Sequence, residues 1–244
     1  MATEDALYVK VLQDLQKRIN ANEFPTLKLP DERSLAQAYE VSRSSIKRAL
    51  TVLALQGIIF KKRGSGTFVN PLYLKKQAMF HSLGTNLGVS DSYRFNGEAP
   101  AIKLLSVEKI PADEEARQDL FLDEGDEVWV AKRLRKLQAA NFMIESAIIP
   151  AKLVPLMTVE DFKHSVFHYA ETATKKAVTK SYMTVTVEPS TADDQMLLGL
   201  TDKEPVGVMS GIFFLDDGTP FEIGTMRIHY KYMHYNSFVS MDGE

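Results

Sequence analysis

The chain has 244 residues, no cysteine, 45% hydrophobic and 25% charged residues, and a formal net charge of −3. That is the composition of an ordinary globular chain with material for one large or two medium domains. It excludes a disulfide framework and a thiolate metal site, and no apolar run approaches the roughly 18 residues of a membrane span. The acidic start MATEDALYVK lacks the basic and apolar regions of a secretion signal, so a cytoplasmic protein is expected.

The charge is divided unevenly. Residues 1–80 hold 13 Lys/Arg against 7 Asp/Glu, net +6, and residues 81–244 hold 16 against 25, net −9. Such asymmetry suggests two domains with different partners, the first of them facing a polyanion. The contrast is sharpest over 41–70, VSRSSIKRALTVLALQGIIFKKRGSGTFVN, which contains six Lys/Arg and no Asp or Glu.

Taken in chain order, Tyr8, Val11, Leu12, Leu15 and Ile19 fall on one stripe of an amphipathic helix. A proline-punctuated loop follows over 20–30. Asp31 is placed to cap a second, short helix near Ser34, with Leu35 and Tyr39 inward. Ser42 is the expected N-cap of a third helix. Its buried stripe is Ile46, Ala49, Leu50 and Leu53, which leaves Ser44, Ser45, Lys47, Arg48 and Thr51 outside, and Gly57 ends it in a left-handed conformation. The period then turns extended. Residues 58–62 and 67–69 flank 63-RGSG-66, a hairpin tip.

Three helices and a hairpin make a winged helix-turn-helix, whose third helix enters a DNA major groove. Small serines at its N-terminal end allow close approach to phosphate. A basic run such as Lys47–Arg48 would alone read as a solvated helix face. Cap, spacing, glycine stop, hairpin and the exclusion of carboxylates together point to nucleic acid.

The stretch LPDERSLAQAYEVSRSSIKRALTVLALQGIIFKKRGSGTFV resembles the DNA-binding domain of the GntR family of bacterial transcription regulators, nearly without gaps from Tyr8 to Val69. The resemblance implies that Arg33, Ser42, Arg43, Ser44, Ser45 and Lys47 contact DNA, with Arg63 and Gly64 at the wing tip. The loop ANEFPTLK lacks the glycines the family usually has there, which bears on loop shape.

After a linker over 71–83, the rest (84–244) alternates strands and short helices. Val107-Glu108 with Ala112-Asp113 recurs as Val187-Glu188 with Ala192-Asp193, offset by 80. Each copy reads strand, acidic helix, turn, long hairpin. This predicts a pseudo-symmetric α+β domain on an antiparallel sheet, with Glu145 and Glu222 at matching places in the second hairpin strands. In 131-AKRLRKL-137, Arg133 and Arg135 share a strand face. Two guanidiniums side by side repel unless an anion lies between them, and Arg suits bidentate phosphate or carboxylate. The alternatives are that both point to solvent or pair with Glu145.

The segments V-x-x-x-PAD-E-E-A, L-x-L-x-EGD-x-V, R-x-R, IES-x-IP and DDG-x-PFE with MRIHYKY resemble the effector-binding (UTRA) domain of the HutC-like GntR subfamily, over most of 84–235. That domain has a chorismate-lyase-like fold. The resemblance implies an effector site for a sugar phosphate or related anion built from Gly88, Val89, Ser90, Arg133, Arg135, Glu145, Ser165, Glu222 and Tyr230. The chain has GVSD where the family often has S-F-T-E.

His164 and His168 stand at i, i+4 but lack the intervening Glu of H-E-x-x-H, and no G-x-S-x-G or Walker A pattern is present. No metal, cofactor or enzymatic activity is expected. The expected protein is a homodimeric regulator, a repressor of a palindromic operator controlled by a small anionic effector. The competing readings are a dimeric DNA binder without ligand control and a small-molecule enzyme on a chorismate-lyase-like fold.

Overall fold

The computed structural model describes residues 4–75, 80–82, 100–137, 140–233 and 235–237. They divide into two units, one of 1–84 with 235–244 and one of 85–234.

In the first unit the three expected helices form as α1 (Glu4–Asn20), α2 (Glu32–Ala38) and α3 (Arg43–Leu55). Their ends are set locally. Asp31 accepts from the Ser34 amide at 2.8 Å and Ser42 from the Ser45 amide at 3.2 Å; each such cap stabilises its helix by about 1 kcal/mol. Gly57, at φ 64, turns the chain out of α3. The apolar stripes meet in one core of Leu15, Ile19, Leu35, Ile46, Leu50 and Leu53.

The wing is the antiparallel pair β1 (Ile59–Lys62) and β2 (Gly66–Val69). A third segment lies on β2: the Leu29 amide donates to the Thr67 carbonyl and the Val69 amide to the Leu27 carbonyl. The proline loop thus lends the wing an extra strand-like edge. Among the described residues that follow are a helical turn, α4 (Pro71–Leu74), and a short strand, β3 (Phe80–Ser82). Asn70 caps the turn through the Leu72 amide and donates to the Gly57 carbonyl, tying it to the end of α3. β3 pairs in parallel with β10 (Tyr235–Ser237), so the chain returns to the first unit at its C-terminal end.

The second unit is a six-stranded antiparallel sheet in the order β4-β5-β6-β9-β8-β7. Its strands are β4 (Ala101–Pro111), β5 (Glu127–Leu137), β6 (Ala140–Pro150), β7 (Val178–Pro189), β8 (Pro205–Leu215) and β9 (Pro220–His229). Helix α5 (Glu114–Leu120) joins β4 to β5, and α7 (Ala192–Leu198) joins β7 to β8. Between β6 and β7 run two 3-10 turns, Ala151–Leu153 and Val159–Lys163, and helix α6 (Val166–Thr174).

Strand, helix and hairpin therefore occur twice, and the two copies meet at the β6–β9 pair in the middle of the sheet. The register corrects the sequence alignment of the copies. β4 ends at Pro111 opposite Glu127 and β7 ends at Pro189 opposite Pro205, which is an offset of 78 (189 − 111), not 80. Arg133 lies opposite Glu145 and Arg135 opposite Met143, while in the second copy Gly211 lies opposite Gly224 and Phe213 opposite Glu222. The structural counterpart of Glu145 is Gly224, and that of Glu222 is Met143. The two glutamates are not matched positions. The offset is 78 on the first hairpin strand and 79 on the second (Glu145 to Gly224), because the second hairpin is one residue longer at its tip.

One sheet face is a conventional core. Leu134, Ile144, Val206 and Val208 pack with Leu198 and Leu200 at the end of α7. A charged clasp closes it: Asp194, fully buried, accepts from Arg227 Nε and Nη2, and Arg227 Nη1 donates to Glu188. Among the described residues no helix is long and apolar enough to cross a membrane.

Candidate functional site

The N-terminal end of α3 presents Arg43, Ser44 and Lys47 to solvent, with Arg33 exposed on α2. The Ser42 hydroxyl lies 2.7 Å from that of Ser44 and 2.9 Å from that of Ser45. The wing tip exposes Lys62, Arg63 and Gly64, the last at φ 72, where a tight turn favours glycine. Arg43, Lys47, Lys62 and Arg63 have no ion-pair partner among the described residues. Lys61 differs, since it pairs with Glu32 of α2 at 3.0 Å and so holds the wing against the helices. Arg48 turns away as well, its guanidinium 4.0 Å from the Tyr8 ring centroid.

One expected residue is placed otherwise. Ser45 is buried rather than on the open face. It sits in the first turn directly under its own cap, where the helix curls inward onto the stripe of Ile46 and Ala49, and its hydroxyl is occupied by Ser42.

In the second unit the other sheet face carries a buried charged cluster. Arg133 Nη2 donates to Glu145 Oε1 and Arg135 Nε to Glu145 Oε2, both at 2.7 Å. Arg133 Nη1 reaches out of the sheet to the carbonyls of Phe162 (3.4 Å) and His164 (3.1 Å). Of the alternatives left by the sequence, pairing with Glu145 is the one adopted: one carboxylate lies between the two guanidiniums and relieves their repulsion. Burial alone would push the Glu145 carboxyl up, but the two cations overcome it and hold it at about 2.

Glu222 approaches the same cluster from two rungs along the sheet. A row of small residues, Ala131, Ala147, Gly224 and Gly211, crosses four strands between the Arg133–Glu145 row and Glu222. Glu222 folds over this row. A Cβ on Gly224 would meet Glu222 Oε1 at 3.0 Å and the Phe213 ring at 2.8 Å, so the glycine makes room for both. Burial, then the negative charge of Glu145, pushes the Glu222 carboxyl up to about 8, against partial relief from Arg133 and Arg135. Its Oε2 is buried and has no hydrogen-bond partner among the described residues, nor has Arg133 Nε.

Ser165 caps α6 next to this cluster, accepting from the His168 amide, and its neighbour His164 supplies the carbonyl to Arg133. Tyr230 is not part of the cluster: it is exposed and its hydroxyl donates to Glu204 at the entry to β8, 2.8 Å away. The physical reason is its place in a 3-10 turn beyond the end of β9, where the strand alternation that aims Glu222 no longer applies. Gly88, Val89 and Ser90 lie outside the described residues. No signal in the residue pattern points to the two backbone carbonyls. The paired glycines at 211 and 224 were a signal, since a glycine inside a strand marks a close approach.

The domain models of two known families match this chain. That of bacterial regulatory proteins of the gntR family matches residues 7–69, and that of the UTRA domain matches residues 96–234. The chain is a GntR-family regulator with a UTRA domain. It is similar to the HTH-type transcriptional regulator GmuR of Bacillus subtilis, 26% identical over 90% of this chain and 92% of that protein. It is also similar to the HTH-type transcriptional repressor NagR of the same organism, 24% identical over 94% of each chain. The crystal structure of the possible transcriptional regulator YydK from Bacillus subtilis shares the fold, with a TM-score of 0.77, 23% identity, and coverage of 96% of this chain and 99% of that one. The GntR-family regulator described here thus binds DNA through its first unit and carries an effector-binding domain in its second.

Proposed function

We propose that this regulator is a homodimeric repressor of a palindromic operator, released when a small anion, a sugar phosphate or a related compound, enters the cluster around Arg133. The observation that carries this reading is the pair of guanidiniums, Arg133 and Arg135, buried side by side on one sheet face, since Arg suits bidentate binding of phosphate or carboxylate. Glu222 Oε2 and Arg133 Nε, buried without partners, are the polar atoms such a ligand would satisfy.

In this reading Arg133 and Arg135 hold the anionic group, Glu145 orients them, and Glu222 and Ser165 meet the ligand's neutral oxygens. Arg33, Ser42, Arg43, Ser44, Lys47, Arg63 and Gly64 contact the DNA. Two-fold symmetry of the dimer is mirrored in the operator. The ligand shifts the DNA-bound population only by its differential affinity for the two arrangements of the heads. The domain serves as a receptor and not as an enzyme, and its DNA partner puts it in the cytoplasm.

The test is operator binding with and without ligand. An operator is selected from random-sequence DNA with the full chain, and sugar phosphates are then screened for release. An inverted-repeat operator released by at least one of them supports the proposal. A selected site without symmetry, or one that no anion releases, counts against it.

A further inference from the structure

The loop over 20–30 turns without a glycine. Asn22 (φ 56) and Leu27 (φ 59) take the left-handed conformation themselves, and for an apolar side chain such as Leu27 that is a strained choice. Strain of this kind persists only where the surroundings fix it. Here Phe24 and Leu29 are buried, the Arg18 guanidinium lies 5.2 Å from the Phe24 ring centroid, and two backbone hydrogen bonds hold Leu27 and Leu29 to β2.

The residue that this turn aims is Lys28. It lies opposite Phe68 of β2 and is exposed, its ammonium 5.8 Å from the Phe68 ring centroid. Its stem runs along β2 to the base of the wing tip. A Cβ on Gly66 would meet Lys28 Cε at 3.1 Å and Nζ at 3.8 Å. Gly66 in turn is paired with Lys62, so the ammonium stands beside the tight turn that carries Lys62, Arg63 and Gly64. Like Lys62 and Arg63, Lys28 has no ion-pair partner among the described residues. Lys61 is the contrast, since Glu32 already engages it. Three cations open to solvent around one turn gain most from a phosphate backbone, which sheds its counterions as they bind.

We propose that Lys28 is a further DNA-contacting residue, a third cation of the wing that binds a backbone phosphate next to the wing tip. This rests on the reading above that Arg63 and Gly64 touch DNA. A phosphate is the partner because the stem is laid down over Phe68 and Gly66. The ammonium then meets the outside of the duplex, where Lys acts as a point charge. The competing role is structural, a stem that covers the Phe68 ring and nothing more.

Salt dependence separates the two. Lys28→Met keeps an unbranched stem over the ring and removes the charge. The full-length variant should melt at the wild-type temperature and bind the selected operator and an unrelated duplex more weakly by the same factor. Its slope of log Kd against log salt should fall by about 1 for each head. Lys28→Arg should restore the slope. Lys203→Met takes the same charge from an exposed turn of the second unit and should change neither affinity nor slope. A Lys28→Met protein with a lowered melting temperature and the wild-type slope makes Lys28 structural, and an equal loss of slope in Lys203→Met makes the effect one of general charge; either overturns the proposal. Arg63→Met tests the reading beneath it. If Arg63→Met lowers the slope and Lys28→Met does not, Lys28 is off the DNA and the wing reading stands. If neither lowers it, both fall.

Discussion

Replacing Glu222 by Gln fixes in place the neutral form that the folded protein favours. Burial and the charge of Glu145 raise this carboxyl from its ordinary 4.5 to about 8. The groups facing it are Glu145 on β6 and Arg133 and Arg135 on β5. The folded value lies above the unfolded one, so the proton's contribution to stability is fully present below about pH 4.5. It is lost as pH rises through about 8. Each pH unit inside that window costs about 1.4 kcal/mol. Between about pH 5.5 and about pH 7.5 the wild type should lose roughly 2–3 kcal/mol through this group. Other titrating groups, such as His229, contribute equally to both proteins and cancel in the difference. Urea unfolding at the two pH values measures it. The wild type should be the less stable of the two proteins at the higher pH by that amount relative to the lower, and Glu222→Gln should lack the slope. Parallel stability profiles for the two proteins would refute the buried, protonated Glu222 described here.

Three other outcomes follow from named contacts. Arg43→Ala should weaken specific operator binding by about 1–3 kcal/mol with an unchanged melting temperature, since Arg43 is exposed and its side chain has no partner among the described residues; a gel-shift titration checks it, and unchanged affinity would place the reading helix elsewhere. Gly211→Ala drives a methyl into the Tyr182 carbonyl and the Met183 sulfur, and overpacking of this kind costs about 1–3 kcal/mol, visible in the denaturation midpoint. Asp194→Ala removes both the cap of Thr191 and the buried partner of Arg227, so chemical denaturation should show a loss of about 3 kcal/mol.

The head was legible in the sequence because its signals are local. Asp31, Ser42 and Gly57 act within a few residues of themselves, and a helical stripe sums over a short window. Ser45 escaped because a first-turn residue belongs to both the cap and the inward face, and the stripe alone does not say which prevails. In the second unit the alternation correctly put Arg133 and Arg135 on one face, and Glu145 was among their possible partners. What the sequence could not supply was register. Glu222 stands two residues before Gly224, and only the ladder reveals that Gly224, not Glu222, is the counterpart of Glu145. Nor could it supply the carbonyls of Phe162 and His164, since every residue carries one and only the path of the chain selects these two.

The central claim is that an anion at the Arg133 cluster controls DNA binding by a separate head. Fluorescence anisotropy of the selected operator, titrated with an active sugar phosphate, tests it on wild type and Arg133→Ala together. The two proteins should bind DNA equally without ligand, and the ligand should release the wild type but not Arg133→Ala at the same concentration. Release of both proteins at the same ligand concentration would contradict it.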